Sequence, residues 1–544
     1  MLTGARALYS RHFPGYLVRL LQFSGYNPAD FLMAFWQTND LRHATHDVAY
    51  MPTTASRRLL LLTRLLIVAQ IVVGVYLAAR GLWGDFTGGV LFGTALIIGY
   101  PVITAYVLSL AVLLAWALRV LLSPRIYGKK FLCELLEDQV VRLHAAHSFR
   151  IVAVVGSVGK TSTKLAIAHT LAAGQQVQFQ EGNYNDRLTV PLVVFGHALP
   201  NLLNVGAWMR ILLANERIIR RGISFDVAVL ELGTDGPGQI ADFAYLKPDI
   251  TVVTAVTPEH MEFFKTLDAV AIEELTVTQF SEQVLVNIDD TPPEYLAGKT
   301  VATYGLADTA EYRITSLTSK KLDGVTFKLR LGDKVEAFTS PMLGTAGTKI
   351  SSAAASVAHL LGMKPAAINK ALAALPPTPG RMQILKGEKG STLIDDTYNA
   401  SPAAVEAGLD VLAETKAPQR IAILGSMNEL GDFSKTAHQG VGAYCWPSTV
   451  DLIVTIGAEA EQYLAPAARK NGCEVKSFRS PYDAGRYVHE QLKKGAVVLG
   501  EGSQNGVFAE EALKQLLADF ADSSKFVRQS SGWLNIKKRQ FPQQ

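Results

Sequence analysis

The stretch "IVAVVGSVGKTSTKLAIAHTL", Ile151 to Leu171, allows few folds. A short apolar, largely β-branched run ends at Gly156, and a helical pattern starts at Lys160. A buried strand, a glycine turn and a helix start, in that order, aim several backbone N–H groups at one point and make an anion seat. Gly156 and Gly159 let the backbone converge there, with Ser157 and Ser162 beside them. Lys160 is in reach of the outer phosphates, and Thr161 can offer its hydroxyl to Mg2+. The spacing departs in one place from the general G-x-x-x-x-G-K-[ST] pattern: Val154 stands at the first glycine position and Gly156 lies mid-loop. The expected ligands are ATP and Mg2+.

A second feature lies upstream. "LLLLTRLLIVAQIVVGVYLAA", residues 59–79, matches the length a helix needs to cross a hydrocarbon core. A longer apolar run, residues 86–122, is either one helix kinked at Pro101 or two spans turning at Gly99-Tyr100-Pro101. Arg57 and Arg58 precede the first run, and Arg119, Arg125, Lys129 and Lys130 follow the second, whereas the connection carries only Arg80 and Asp85. Positive residues at both outer ends predict a transmembrane hairpin in the cell (inner) membrane, multi-pass, with the catalytic domains cytoplasmic. Residues 1–56, which mix aromatics, leucines and arginines, read as a helix in the membrane interface. A soluble helical hairpin packed on the rest is the alternative.

From residue 131 the pattern becomes α/β: short β-branched strands alternate with helices, as in a mostly parallel sheet covered on both faces. Strands are expected at 151–155, 227–230, 250–255 and 284–287, with an antiparallel patch over 312–340. The turn "LPPTPGR" divides a central P-loop domain (131–379) from a smaller Rossmann-like α/β domain (380–524), and 525–544 read as a loose polar tail. The net charge of +4 comes without a basic block, which argues against a nucleic-acid partner. Cys133, Cys445 and Cys473 form no CxxC and fit buried thiols in a reducing compartment.

Further stretches occur in a telling order: "EGNYNDRLTVPL" (181–192), "VAVLELGTDGPGQI" (227–240), "TPEHMEFFKTLDAVA" (257–271), "GRMQ" (380–383), "IDDTYNASPAAVEAGLDVL" (394–412) and "ILGSMNELGDFSKTAHQGVG" (423–442). Together with the short G-x-x-G-K-T-S loop they resemble the Mur ligase family over about residues 150–520, most closely its D-alanyl-D-alanine-adding branch. The resemblance implies an ATP-dependent amide ligase of peptidoglycan precursor synthesis. In such an enzyme a carboxylate acceptor of peptide type is activated as an acyl phosphate, and an amino acid or dipeptide amine displaces the phosphate. Other ligases of the superfamily acting on a membrane-borne acceptor, or a membrane-tethered ATP-binding scaffold that does not ligate, are the alternatives.

Carried over by motif position, the resemblance implies that Glu231 holds Mg2+ with Thr161, that His260 ligates a second metal, and that Asn183 lies near the transferring phosphate. It also implies that Arg381 and Asp396 are brought onto the nucleotide by a closing second domain, which keeps water from the acyl phosphate. Relatives carry a carbamylated lysine about fourteen residues after the motif histidine, where this chain has "VAIEELTV". Glu274 there is either a built-in metal ligand or part of an exposed acidic helix face. The relatives' adenine-side His-Asn is replaced by Ala346 and Gly347, and Glu501 stands where a lysine is usual. Residues 1–130 take the place of the family's soluble substrate domain, which raises two possibilities: a membrane-borne acceptor, or an anchor on an ordinary ligase.

Overall fold

The computed structural model describes residues 8–24, 28–37, 54–84, 86–122, 124–504 and 506–542, which fall into two compact units, Met1–Leu132 and Cys133–Gln544. Much of the expected interfacial segment, including 38–53, lies outside the described residues.

In the first unit the helices Phe13–Phe23 and Pro28–Gln37 bury Phe13, Leu17, Leu21 and Phe31 in one cluster with Ala105 and Leu108. Those aromatics and leucines are therefore spent on internal packing. The helix Thr54–Leu82 lies against Gly89–Ile98 through glycines: a Cβ on Gly93 would stand 2.3 Å from the Gly74 carbonyl oxygen. Thr104 donates to Gln70 Oε1 at 2.8 Å and ties the two apolar runs together.

The multi-pass membrane placement with cytoplasmic catalytic domains is corrected by this geometry. Among the described residues only Arg57–Leu82 is by itself long and apolar enough to cross a bilayer. The second run is two helices, Gly89–Ile98 and Tyr100–Leu122, bent by 75° at Gly99. Pro101 has no N–H to offer the carbonyl one turn back, so the helix cannot continue straight through it. The bilayer, expected as a partner on the strength of a two-span hairpin, loses that ground.

The second unit is α/β, built on two sheets. The first has nine strands: β1 (Arg150–Val155), β2 (Val177–Gln178), β3 (Val227–Glu231), β4 (Ile250–Val253), β5 (Gln283–Asn287), β6 (Ala302–Gly305), β7 (Tyr312–Ser319), β8 (Val325–Leu331) and β9 (Lys334–Ser340). Their order is β2-β3-β1-β4-β5-β6-β7-β8-β9. The run from β2 to β7 is parallel, and β7, β8 and β9 pair antiparallel. β1 and β3, interior strands near one edge of the sheet, are buried on both faces; in β1, Ile151 and Ala153 pack on one side, Val152 and Val154 on the other.

The second sheet contains β10 (Gln383–Lys386), β11 (Thr392–Asp396), β12 (Arg420–Gly425), β13 (Leu452–Ile456), β14 (Val475–Phe478) and β15 (Val497–Glu501), ordered β10-β11-β15-β12-β13-β14. Only β10 runs antiparallel. The carboxyl ends of β11 and β15 lie side by side, with Asp396 opposite Glu501.

The tail is not loose. It forms a helix, Ser531–Gln540, whose Lys537 is fully buried and bonds Glu510 at 2.8 Å and Glu511 at 2.7 Å.

Candidate active site

The site starts where β1 gives way to the helix Lys160–Ala172. Gly156 sits at φ +122° and Gly159 at φ +85°, both in the left-handed half of backbone space. At Gly156 space also decides, since a Cβ would stand 2.3 Å from Thr254 Oγ1. Ser157 Oγ accepts from Thr257 N at 3.0 Å and pins the loop to the segment after β4.

Four predicted residues gather here. Thr161 Oγ1 donates to Glu231 Oε1 at 3.2 Å across the end of β3. Lys160 turns its ammonium to Glu259 Oε2, 3.0 Å away, and to the Gly156 carbonyl at 2.5 Å. Burial works against that charge, but the carboxylates of Glu259 and Glu274 outweigh it and raise the Lys160 pKa. Glu274 is buried rather than part of an exposed acidic face, and its Oε2 accepts from the Gly156 amide at 2.8 Å. Burial pushes its carboxyl up to about 7, with Lys160 and the amide pulling the other way.

His260 takes a left-handed conformation, φ +48°, and its Nδ1 meets Glu429 Oε2 at 2.9 Å. Its Nε2 faces Glu259 at 3.6 Å and Asp235 at 3.8 Å. Asn183 is exposed, and the neighbour two residues on, Asn185, is the one that donates to Glu231 Oε1, at 3.1 Å.

Sequence reasoning did not single out Asn185, Lys164, Glu259 or Glu429. Lys164 Nζ lies 3.2 Å from Glu231 Oε2, with both side chains 2% exposed, a buried ion pair at the end of β3. Its place one turn after Lys160 on the same helix was a usable signal. The others are assembled by tertiary contact alone.

The second domain supplies the far wall. A cavity of about 600 Å³ runs from Gly159 and Ser162, past Lys349, to Arg381 and Asp396. Arg381 stacks on the Tyr398 ring at 4.3 Å, and its buried Nε has no hydrogen-bond partner among the described residues. Asp396 Oδ1 accepts from Met382 N at 3.2 Å. Ala346 and Gly347 line the same cavity, and a side chain at 347 would meet Met342 at 2.8 Å. Lys349 is committed to Asp290 at 2.8 Å.

Behind Asp396 lies a buried acid pair. Burial, with Asp396 alongside, raises Glu501 well above its ordinary 4.5, and burial raises Asp396 as well, against the pull of Arg381. A carboxyl with a raised folded pKa stabilises the fold fully below its unfolded value and loses that contribution as pH climbs toward the folded one. Glu501→Gln stays neutral, so its thermal midpoint relative to the parent should rise as the pH climbs above the ordinary glutamate value. A difference that stays flat with pH would show that Glu501 ionises freely.

The donor set can be tested against the expected metal. The Thr161 hydroxyl and Glu231 carboxylate are hard oxygen donors side by side, which suits Mg2+. For a second ion, no group of three His, Cys, Asp or Glu side chains stands ready among the described residues.

Two family models match: the Mur ligase middle domain over residues 154–359 and the Mur ligase glutamate ligase domain over 380–504. The chain belongs to the Mur ligase family. This Mur ligase is 27% identical over 375 residues to the UDP-N-acetylmuramoyl-tripeptide--D-alanyl-D-alanine ligase of Bacillus subtilis, covering 68% of this chain and 76% of the relative. To the enzyme of that name from Synechocystis it is 29% identical over 401 residues, covering 71% and 80%. In fold it is similar to MurF from Acinetobacter baumannii, with TM-score 0.59, 20% identity and coverage of 71% and 80%. It is also similar in fold to the MurF ligase of Thermotoga maritima in complex with ADP, with TM-score 0.57, 21% identity and coverage of 73% and 84%. The Mur ligase assignment makes the chain an ATP-dependent ligase, and the second match starts at residue 380, at the end of the Pro-rich turn between the two sheets.

Proposed function

We propose that this ligase adds D-alanyl-D-alanine to a UDP-N-acetylmuramoyl-tripeptide, as the printed names of its relatives describe for them. The observation that carries the reading is the cavity itself. It is lined by Val158, Gly159 and Ser162 of the phosphate loop on one side, and on the other by Asp396 and by Arg381, whose Nε has no hydrogen-bond partner among the described residues.

In this reading the acceptor carboxylate attacks the γ-phosphorus of ATP, ADP leaves, and the dipeptide amine then attacks the acyl carbon. Phosphate departs and the nitrogen loses a proton. Bound Mg2+, held by Thr161 and Glu231, would supply charge neutralisation at the phosphates. The chain's own groups position and shield. Gly156 and Gly159 free backbone N–H groups for the anion, Lys160 has only to swing from Glu259 to a phosphate oxygen, and Arg381 brings a second cation from the other domain. Glu274, tied to the Gly156 amide, fixes the loop, and its carboxylate lies beside Lys160 as a further oxygen donor for a cation.

ADP release by the purified full chain tests this. Release should need the UDP-linked tripeptide and D-alanyl-D-alanine together. Hydrolysis without either, or none at all, would instead favour a nucleotide-binding scaffold, and turnover with a different amine would move the chain to another branch of the family.

A further inference from the structure

The motif "MNELG", residues 427–431, has no role in the chemistry above, yet it reaches the site from the second domain. Its base is rigid: Met427 and Leu430 are buried, Met427 N donates to His438 Nε2 at 3.0 Å, and Asn428 N donates to Ser503 Oγ at 2.9 Å. From that base Glu429 projects at φ +65°, a conformation costly for a residue with a side chain. It meets His260, itself at φ +48°, so two strained backbones face each other across the domain interface. The contact extends beyond one ion pair. Glu262 N donates to the Glu429 carbonyl at 3.4 Å, and Gly431 lies so close to Glu262 that a Cβ there would stand 2.9 Å from its Cα. On the other side of the imidazole the path continues through Glu259 at 3.6 Å to Lys160, 3.0 Å from Glu259.

We propose that Glu429 is a positioning residue of the ligase: from the second domain it holds His260 at Nδ1, which turns Nε2 toward the Glu259–Lys160 edge of the phosphate seat, so that edge is set only when the second domain is docked. Strain on both sides of the contact is what a device of this kind needs, because neither backbone would keep its conformation without the partner. The inference rests on reading the loop as the phosphate seat, and its test separates the two ideas.

Glu429→Ala, Glu429→Gln, His260→Ala and the double alanine variant are compared in the full chain. In Glu429→Ala, amide hydrogen exchange in Met261–Phe264 should rise roughly tenfold or more without nucleotide. In Glu429→Gln, whose amide oxygen still accepts from Nδ1, it should stay within a few-fold of the parent. Ligation should fall about tenfold or more in kcat in Glu429→Ala, with the KM for ATP little changed, and the Gln variant should recover most of it. The double variant should be no slower than His260→Ala alone, because one residue acts through the other. Unchanged exchange in Glu429→Ala, equal losses in Ala and Gln, or an additive double variant would overturn the positioning role. Exchange reads the contact whether or not the substrates named above turn over, so absent ADP release with a normal exchange response would overturn only the substrate assignment.

Discussion

Lys160→Met abolishes ligation for practical purposes: kcat for ADP release falls by about 100- to 1000-fold or more, the loss seen when one preorganised charge donor is removed from a transition state. The expectation follows from where the ammonium already is. It rests 3.0 Å from Glu259 and 2.5 Å from the Gly156 carbonyl, inside the curl of the loop that would hold the phosphates. Glu259 keeps it charged against burial, and a phosphate oxygen entering the loop offers a second anion within a small side-chain movement. Methionine fills the space and carries no charge. Nucleotide affinity should fall less than kcat, because the backbone N–H groups and Thr161 remain. Steady-state ADP release alongside equilibrium nucleotide binding checks this, and a variant that keeps a tenth of the parent kcat would remove Lys160 from the chemistry.

Gly156→Ala should cost both fold and site. At φ +122° a residue with a Cβ is strained, and this Cβ would also stand 2.3 Å from Thr254 Oγ1 and 2.9 Å from the backbone nitrogens of Thr254 and Ala255. Backbone strain of about 1–3 kcal/mol and overpacking of similar size add. The loop cannot relieve them alone, since the Gly156 amide is tied to Glu274 and Ser157 to Thr257. The expected result is a clear drop in thermal midpoint together with loss of measurable nucleotide binding. The comparison is Gly159→Ala, where the nearest atom to a Cβ is 4.0 Å away, so strain acts there without a clash. Equal effects at the two positions would mean that the close approach to Thr254 does not matter.

The phosphate loop shows what was legible in advance. Strand, glycine turn and helix are local patterns, so their order alone placed Gly156, Lys160 and Thr161 at the carboxyl end of a buried strand. Glu231 followed because it ends an apolar strand, and the Pro-rich turn marked the division of the two sheets because proline and glycine act on the chain next to them. The tail and the multi-pass placement of the N-terminal runs were misread for the opposite reason. The polar composition of 525–544 suggested a loose tail, but Lys537 within it is buried against Glu510 and Glu511. In the run 86–122 the Gly99-Tyr100-Pro101 sequence marked the break, and the structure bends there by 75°, but composition does not report how far the two helices turn from one another.

Within the site the same line can be drawn residue by residue. The sequence by itself placed the glycine loop between a buried strand and a helix, Glu231 at the end of another strand, and one sheet on each side of the Pro-rich turn, because each depends on residues adjacent in the chain or repeating with a strand or helix period. Only the tertiary structure decided that Asn185 rather than Asn183 reaches Glu231, that Lys164 pairs with that carboxylate, that Glu274 braces the Gly156 amide, and that Glu429 grips His260. Those contacts join residues from 46 to well over 100 positions apart, across strand ends and between domains. Their existence depends on how two sheets and their loops are brought together, and no local period in the chain encodes that.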